Sequence, residues 1–393
     1  MNTKISQRIR KFQKVFLSPQ KKWLKPRHTQ ILIYDKIGSD LLSRYMKENS
    51  YSILEIRGES INIPSLLLAL LKPKFWSGRA MSVYIDQYIS FVRPEILITY
   101  IDNDIRFYTL SKKFPSVKTI FIQNGRRSEL GDIFDSISPN SDYHVDYMFV
   151  FGEAIADKYS EYLTGLTIPI GSFKNNLIAK KADLVVNSVI FISSWGNKSQ
   201  NSAFMIRESG KSIEWTEYFA VEERVLDFLD RWCSSNNKIL KICGRSIDLA
   251  SGERDYYSAR LTKSEWEFLP RIDSEGIYYH IDSAELVTFI DSTSGLESLG
   301  RGKRTVAFSC RANVLDAPSE SFGWPGELPP HGPFWTSELD DIEFDRIMDF
   351  ATSSKEEFWK DESNLYKRLL MQFDPNNSRF QAVLNSILEI RET

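Results

Sequence analysis

"FIDSTSGLESLGRGKRTVAF" occupies residues 289–308. An apolar run ends at Asp291, small hydroxyl residues and one glycine follow, and a short helical segment carries Glu297. Gly302 and Lys303 then turn the chain into a second apolar run. Strand, polar loop, helix and strand in that order make one unit of a parallel α/β sheet, because parallel neighbours need a crossover between them. A helix starting near Gly295 presents backbone N–H groups and the positive end of its dipole at the tip of the first strand. Ser292, Thr293 and Ser294 add hydroxyl donors, a combination that suits a phosphate. Glu297 is placed to accept ribose hydroxyls. The spacing also fits a capping box with Ser294 as N-cap, and the two readings are compatible.

Outward from that stretch the same unit recurs. "QILIYD" (30–35), "YSILEIRG" (51–58), "EILITYID" (95–102), "VKTIFIQNG" (117–125) and "VDYMFVFGE" (145–153) alternate with helical segments, and "TIPIGS" closes the series. It restarts after Lys181 with "SVIFISSWG" (188–196), the amphipathic "YFAVEERVLDFLDRWCSS", "KILKICGRS" (238–246), the opening stretch and "RTVAFS". Short apolar strands separated by helices predict parallel sheets covered on both faces. The expected architecture is α/β with two Rossmann-like lobes, residues 1–180 and 181–365, separated by a cleft. A C-terminal helix over 366–393 crosses back to the first lobe.

Composition narrows the function classes. A chain of 393 residues exceeds one ordinary core. With 42% hydrophobic residues, 26% charged residues and a formal net charge of −2, it is globular and has no overall polyanion-binding character. Nucleic acid is not an expected partner, since no recognition motif accompanies the basic residues. Cys233, Cys243 and Cys310 are scattered, and His28, His144, His280 and His331 have no ligand spacing. No disulfide framework, metal or other cofactor is expected. The three cysteines fit a reducing cytoplasm, and no apolar run reaches the roughly 20 residues that span a bilayer, so a cytoplasmic protein, soluble or at most peripheral, is expected. The basic, aromatic-interleaved N-terminus is either a solvated arm or a foot on anionic lipid of the inner membrane face.

In open parallel sheets the ligand crevice lies beyond the carboxyl ends of the strands. First-lobe candidates are therefore Asp35, Asp102, Asp104, Gln123, Asn124, Gly125, Arg126 and Glu153. In the second lobe they are Lys198 in "SSWGNK", Arg245 in "CGRS", and Ser292 to Gly295 with Glu297. "DND" (102–104) reads as a turn or an acceptor contact rather than a metal site. His280 reads as a half-buried strand histidine. The loop "SFGWPGELPPHGPFW" either stacks on a ring or seals a lobe edge.

"TFIDSTSGLESLGRGKRTVAFS" resembles the nucleotide-binding segment in the C-terminal lobe of GT-B glycosyltransferases and of the related UDP-GlcNAc 2-epimerases. "FIQNGRRSE" is similar to the first-lobe "EAGLR" tip of the epimerases, but Gln123 and Asn124 replace its acidic residue and alanine. "SFGWPGELPPHGPFWTSELDD" and "YDKIGSDLL" are similar to bacterial surface-carbohydrate transferases, some of whose relatives are retaining Kdo transferases using CMP-Kdo.

The resemblance implies a glycosyltransferase moving a sugar from a nucleotide-activated donor, CMP-Kdo or similar, to a surface polysaccharide or lipopolysaccharide. Alternatives are a nucleotide-sugar 2-epimerase and a non-catalytic assembly subunit. It implies metal-independent chemistry, with Ser292, Thr293, Ser294, Gly295, Glu297, Lys198 and Arg245 on the nucleotide. Gln123, Asn124, Gly125, Arg126 and Asp35 would face the acceptor or sugar. Glycosyl transfer also needs a carboxylate near the anomeric carbon, and Glu153, then Asp102, are the expected catalytic residues.

Overall fold

The computed structural model describes residues 20–46, 49–129, 132–139, 142–180, 185–196, 203–206, 210–247, 252–273 and 275–389. Two parallel sheets dominate them. In the first, β1 (Ile31–Tyr34), β2 (Tyr51–Leu54), β3 (Ile96–Thr99), β4 (Lys118–Ile122), β5 (His144–Val150) and β6 (Thr164–Pro169) lie in the order β2-β1-β3-β4-β5-β6. In the second, β7 (Val185–Ile192), β8 (Ile239–Cys243), β9 (Trp266–Leu269), β10 (Ala284–Phe289), β11 (Thr305–Phe308), β12 (His331–Gly332) and β13 (Trp335–Thr336) lie in the order β9-β8-β7-β10-β11-β13-β12. Only β12 runs antiparallel to its neighbour among these. "ILIY" and "ILIT" are buried at every position. β-branched side chains suit a pleated sheet, and burial on both faces removes any apolar–polar alternation.

Register pairs like with like: Ile31 lies opposite Ile96, and Ile98 opposite Ile120. In the second lobe Ile190 of β7 pairs with Lys241 on one side and Val287 on the other. Of the helices that position the site, α1 (Glu153–Tyr162) and α2 (Phe173–Asn176) belong to the first lobe. The second lobe contributes α3 (Trp215–Ser235), α4 (Glu253–Ser258), α5 (Gly276–Ser283), α6 (Thr293–Gly300) and α7 (Arg311–Val314). A reciprocal capping box between Glu214 and Glu217 starts α3. Its buried face then carries Phe219, Val225, Leu226, Phe228, Leu229 and Trp232.

The chain returns to the first lobe at its end. Helix α8 (Glu356–Leu370) buries Trp359 and Leu370, and α9 (Ser378–Glu389) follows. Phe380, Leu384 and Ile387, spaced on one helical face, pack on Ile31, Ile33, Ile96, Ile98 and Phe149. Between these helices Gln372 N–H donates to the Phe151 carbonyl at 2.8 Å, and Phe373 bridges Gly171. Gly171 has φ 82°, and a Cβ there would sit 1.8 Å from the Gln372 carbonyl oxygen. Only glycine lets the returning strand approach so closely. The expected boundary at residue 366 falls inside α8.

One local expectation changes. "GIYYHID" is helix α5, so His280 lies on a helix. "WEFL" forms the edge strand β9. In the aromatic loop Phe322 stacks on Trp335 at 4.9 Å, and Phe334 and Tyr366 close on the same cluster. That loop seals the lobe edge.

Candidate functional site

The second sheet reverses its order between β7 and β10: the chain leaves β7 outward to β8 and β9, then returns to β10 on the other side. Loops from such a pair of strands diverge, and the gap they leave is where open α/β sheets bind ligands. A cavity of about 570 Å³ opens there. Its floor is made by Ser193 and Ser194 after β7, Gly244 and Arg245 after β8, and Asp291 to Ser294 after β10. Pro270 to Asp273 after β9 and one face of α5 form a wall, and Lys174 reaches in from the first lobe.

The opening stretch folds tightly for a visible reason. Helix α6 starts at Thr293, capped by the Ser292 side chain, which accepts from Ser294 N–H at 3.2 Å. The N-cap is therefore Ser292 rather than Ser294. A Cβ on Gly295 would fall 2.0 Å from the Phe289 ring, so glycine is what lets α6 start directly above its own strand. The positive end of that helix faces the cavity.

Behind the floor runs a buried polar network. Ser193 Oγ donates to Glu253 at 2.5 Å and lies 2.7 Å from the Tyr257 hydroxyl oxygen. Glu253 also accepts from the Arg245 and Ser246 N–H groups, both at 2.8 Å. This pins the loop after β8. Glu222 takes hydrogen bonds from Ser194 and Tyr257, and Arg311 lies 3.7 Å away. Burial pushes the Glu222 carboxyl above its ordinary range despite these partners. Arg311 also holds Asp291. Burial opposes ionisation of Asp291, but Arg311 outweighs it and keeps the carboxyl below its ordinary pKa.

Three cations face the cavity: Arg245 and Arg271, both exposed, and Lys174, half-buried above the Tyr278 ring. Burial lowers the Lys174 pKa. Asp273 accepts from the Gly276 and Glu275 N–H groups, which hold its carboxyl below the ordinary range. His280 also lines the wall, and burial lowers its pKa. The local field is positive and fits an anionic ligand.

The sequence candidates divide sharply. Ser292, Thr293, Ser294 and Arg245 line the cavity, and Gly295 positions them. Lys198 lies outside the described residues, as does the N-terminal segment up to residue 19. Glu297 is a correction: it is only 5% exposed and accepts from Tyr278 OH at 3.0 Å, with Ser172 and Ser294 as further partners. Its carboxylate is enclosed at the lobe junction, not open to a ribose, and burial raises its pKa. α6 starts two residues earlier than expected, which rotates Glu297 into the junction.

Both expected catalytic carboxylates are corrected too. Glu153 opens α1, but its side chain is 40% exposed and pairs with Arg368 of α8 at 3.1 Å. The returning C-terminal segment covers this strand tip and takes the carboxylate to the surface. Asp102 is fully buried, receiving two hydrogen bonds from Arg127 at 2.6 and 2.7 Å and one from Tyr159 OH at 2.5 Å. Asn124 N–H donates to it as well. Asp102 is the anchor of the first-lobe loops.

The acceptor-side candidates are likewise engaged within the fold. Asp35 (φ 85°) is buried and holds Arg57 at 2.6 Å and the Ile37 N–H. Gln123 spans the Gly125 carbonyl and the Phe151 N–H, and Asn124 Oδ1 accepts from Arg127. Arg126 crosses to the second lobe, donating to the Asp291 and Ser319 carbonyls, both at 2.9 Å. It sets the position of one lobe tip against the other. Gly125 has open space above its Cα.

Sequence reasoning missed Lys174, Arg271, Asp273 and the cavity-lining role of His280. "TIPIGSFKNN" has a strand end followed by a polar turn, the signal used elsewhere, and it locates Lys174. Arg271 and Asp273 follow an edge strand of four residues whose W-E-F-L pattern is too short to register.

The fold defines a two-lobed, GT-B type α/β protein whose second lobe carries a cavity lined by Lys174, Arg245 and Arg271. A family model described as "putative O-antigen biosynthesis protein" matches residues 120–388, and the chain belongs to that family. No curated protein matches it. Among solved structures, a "putative UDP-N-acetylglucosamine 2-epimerase" from Listeria monocytogenes is similar at TM-score 0.51 and 10% identity, over 92% of this chain and 97% of that one. MurG of Acinetobacter baumannii gives TM-score 0.49 at 11% identity over 93% and 100%. The UDP-GlcNAc 2-epimerase of Neisseria meningitidis, bound to UDP-GlcNAc, gives 0.47 at 10% over 91% and 98%. The Listeria match supports the shared fold.

Proposed function

We propose that this protein is a nucleotide-sugar-dependent glycosyltransferase of surface-polysaccharide biosynthesis, holding its donor on the second lobe and its acceptor against the first. The observation that carries this reading is the cavity at the β7/β10 switch point, which Lys174, Arg245 and Arg271 line together with the N-terminus of α6. Its volume is within the range of small-molecule sites. Membership of an O-antigen biosynthesis family supplies the pathway class. A nucleoside diphosphate sugar carries its two negative charges on adjacent phosphates, whereas a CMP-linked ulosonic acid divides them between one phosphate and the sugar carboxylate. Cations that share one cavity with a helix N-terminus fit the former, so a nucleoside diphosphate sugar is the proposed donor. Arg245, Arg271 and the α6 amides would neutralise the departing phosphate as the anomeric C–O bond breaks and the acceptor oxygen bonds to that carbon. The acceptor's proton leaves to a base.

A thermal-shift panel of UDP, GDP, dTDP, CDP and CMP tests the donor, because a ligand that binds only the native state raises its stability. At least one diphosphate is expected to raise the Tm more than CMP does. CMP alone raising it would favour a CMP-linked ulosonic acid, and no response from any member would remove the nucleotide reading. UDP-GlcNAc supplied without acceptor separates the epimerase alternative, which would release UDP and a new hexosamine.

A further inference from the structure

Six of the eighteen large apolar side chains exposed among the described residues fall in two short segments of the first lobe. Trp23 and Leu24 are 70% and 82% exposed, and Leu67, Leu68, Leu71 and Trp76 are 58%, 40%, 77% and 71% exposed. The two segments are one surface. Residues Gln20–Lys22 pair with Ser60–Asn62, and Asn62 both donates to the Leu24 carbonyl at 2.7 Å and caps the helix Ile63–Leu70. That helix packs on the helix Ala80–Val92, and at the turn between them the Trp76 indole N–H donates to the Leu70 carbonyl at 3.0 Å. Leu66, Leu70 and Phe75 pack into the core, so the turn is anchored from within while Leu71 and Trp76 stand in solvent.

The two segments that carry these side chains bear charge of one sign. Residues 20–34 contain Lys21, Lys22, Lys25 and Arg27 and no acid; residues 63–85 contain Lys72, Lys74 and Arg79 and no acid. Lys22 is engaged by Glu55 at 2.8 Å. The whole chain has net charge −2, so this is a local concentration and not a reflection of composition. A two-fold interface with a second copy sets a patch against itself, and here that would oppose cation to cation. Tryptophan and leucine ringed by lysine and arginine instead fit the boundary of an anionic bilayer, where rings enter the headgroup layer and cations meet lipid phosphates.

We propose that the turn at residues 71–79, together with Trp23 and Leu24, docks the protein on an anionic membrane surface. The orientation suits the fold. The helix Ala80–Val92 leads into the amino end of β3, so its start, and the turn before it, lie toward the carboxyl edge of the first sheet. That is the edge on which the interlobe crevice opens, so the docked protein presents its crevice toward the bilayer. An acceptor carried on a lipid would then be within reach.

The test is flotation of the full chain with vesicles of phosphatidylcholine alone and of an equal mixture with phosphatidylglycerol. Wild-type protein is expected to float with the mixed vesicles at low salt, much less at high salt, and least with the neutral ones. Each basic side chain near an anionic surface contributes about fivefold in partition, so Lys72→Gln/Lys74→Gln/Arg79→Gln should lower it on the order of a hundredfold. Leu71→Ser/Trp76→Ser should lower it by at least about tenfold. All five side chains are exposed, so both variants should keep the wild-type Tm and its nucleotide-induced shift, which separates failure of docking from failure of the donor site. Wild-type protein that does not float with anionic vesicles, or variants that float as it does, would overturn the proposal. So would a wild-type dimer in light scattering that Leu71→Ser/Trp76→Ser dissolves, which would assign the face to a second copy.

Discussion

The two lobes carry strand tips that look alike in sequence and behave differently in space. In the first lobe, Asp35 meets Arg57, Asp104 meets Arg106, and Asp102 meets Arg127. A cavity that Gln123, Arg127 and Phe151 line with the returning Leu369 and Leu370 measures only about 20 Å³. In the second lobe the buried charges are paired one layer down, through Glu253, Glu222 and Arg311. The loops above them stay apart over about 570 Å³, with Arg245 and Arg271 exposed. A polar strand tip is thus not by itself a site. It becomes one where the supporting ion pairs lie beneath the loops instead of within them.

The largest effect should come from breaking a first-lobe pair. Asp102→Asn leaves the buried Arg127 with Asp132, at 3.1 Å, as its remaining counter-charge and removes two of its charged hydrogen bonds, and should cost about 3 kcal/mol in urea denaturation. Nucleotide affinity of the folded fraction should be unchanged. If Asp102→Asn kept its stability and lost transfer, the first-lobe tips would be catalytic and the contrast between the lobes would fail.

On the second lobe the balance should reverse. Arg245→Ala removes an exposed cation over the cavity, so stability should change by less than about 1 kcal/mol. Nucleotide binding, measured by titration calorimetry, should weaken by about 1.5–3 kcal/mol, the range for hydrogen bonds to charged groups. Equal losses of stability and affinity would place Arg245 in the supporting layer.

Glu297 sharpens the comparison at the junction. Its folded-state pKa is raised by burial, so its contribution to stability is greatest when protonated and falls as pH rises through that value. Glu297→Gln keeps an acceptor for Tyr278 and cannot ionise. The Tm of the variant relative to wild type should therefore increase as pH rises above the ordinary glutamate pKa, with nucleotide affinity nearly constant. A relative Tm that falls over that range, or a lost nucleotide response, would return Glu297 to the ligand.

The smallest effect is expected at Glu153. Its pair with Arg368 is solvent-exposed on both sides, and exposed pairs contribute roughly 0–1 kcal/mol. Glu153→Gln should transfer sugar within about twofold of wild type, whereas loss of a general acid or base costs about 100-fold or more. A loss of that size would reinstate it.

What the sequence determined by itself is what short-range chemistry controls. Buried β-branched runs at β1, β3, β7 and β10 dictated two parallel sheets, and the small residues after Asp291 dictated a capped helix start beside Phe289. What only the tertiary structure decided is which polar residues remain available. Asp102 and Glu153 sit at a strand end and in a first helical turn as the sequence indicates, and Glu297 lies two residues further into α6 than expected. Their partners Arg127, Arg368 and Tyr278 come from 25, 215 and 19 residues away. Lys174 reaches the second-lobe cavity from the other lobe entirely. Whether a carboxylate is buried, paired or open depends on these distant contacts, and no local pattern of residues encodes them.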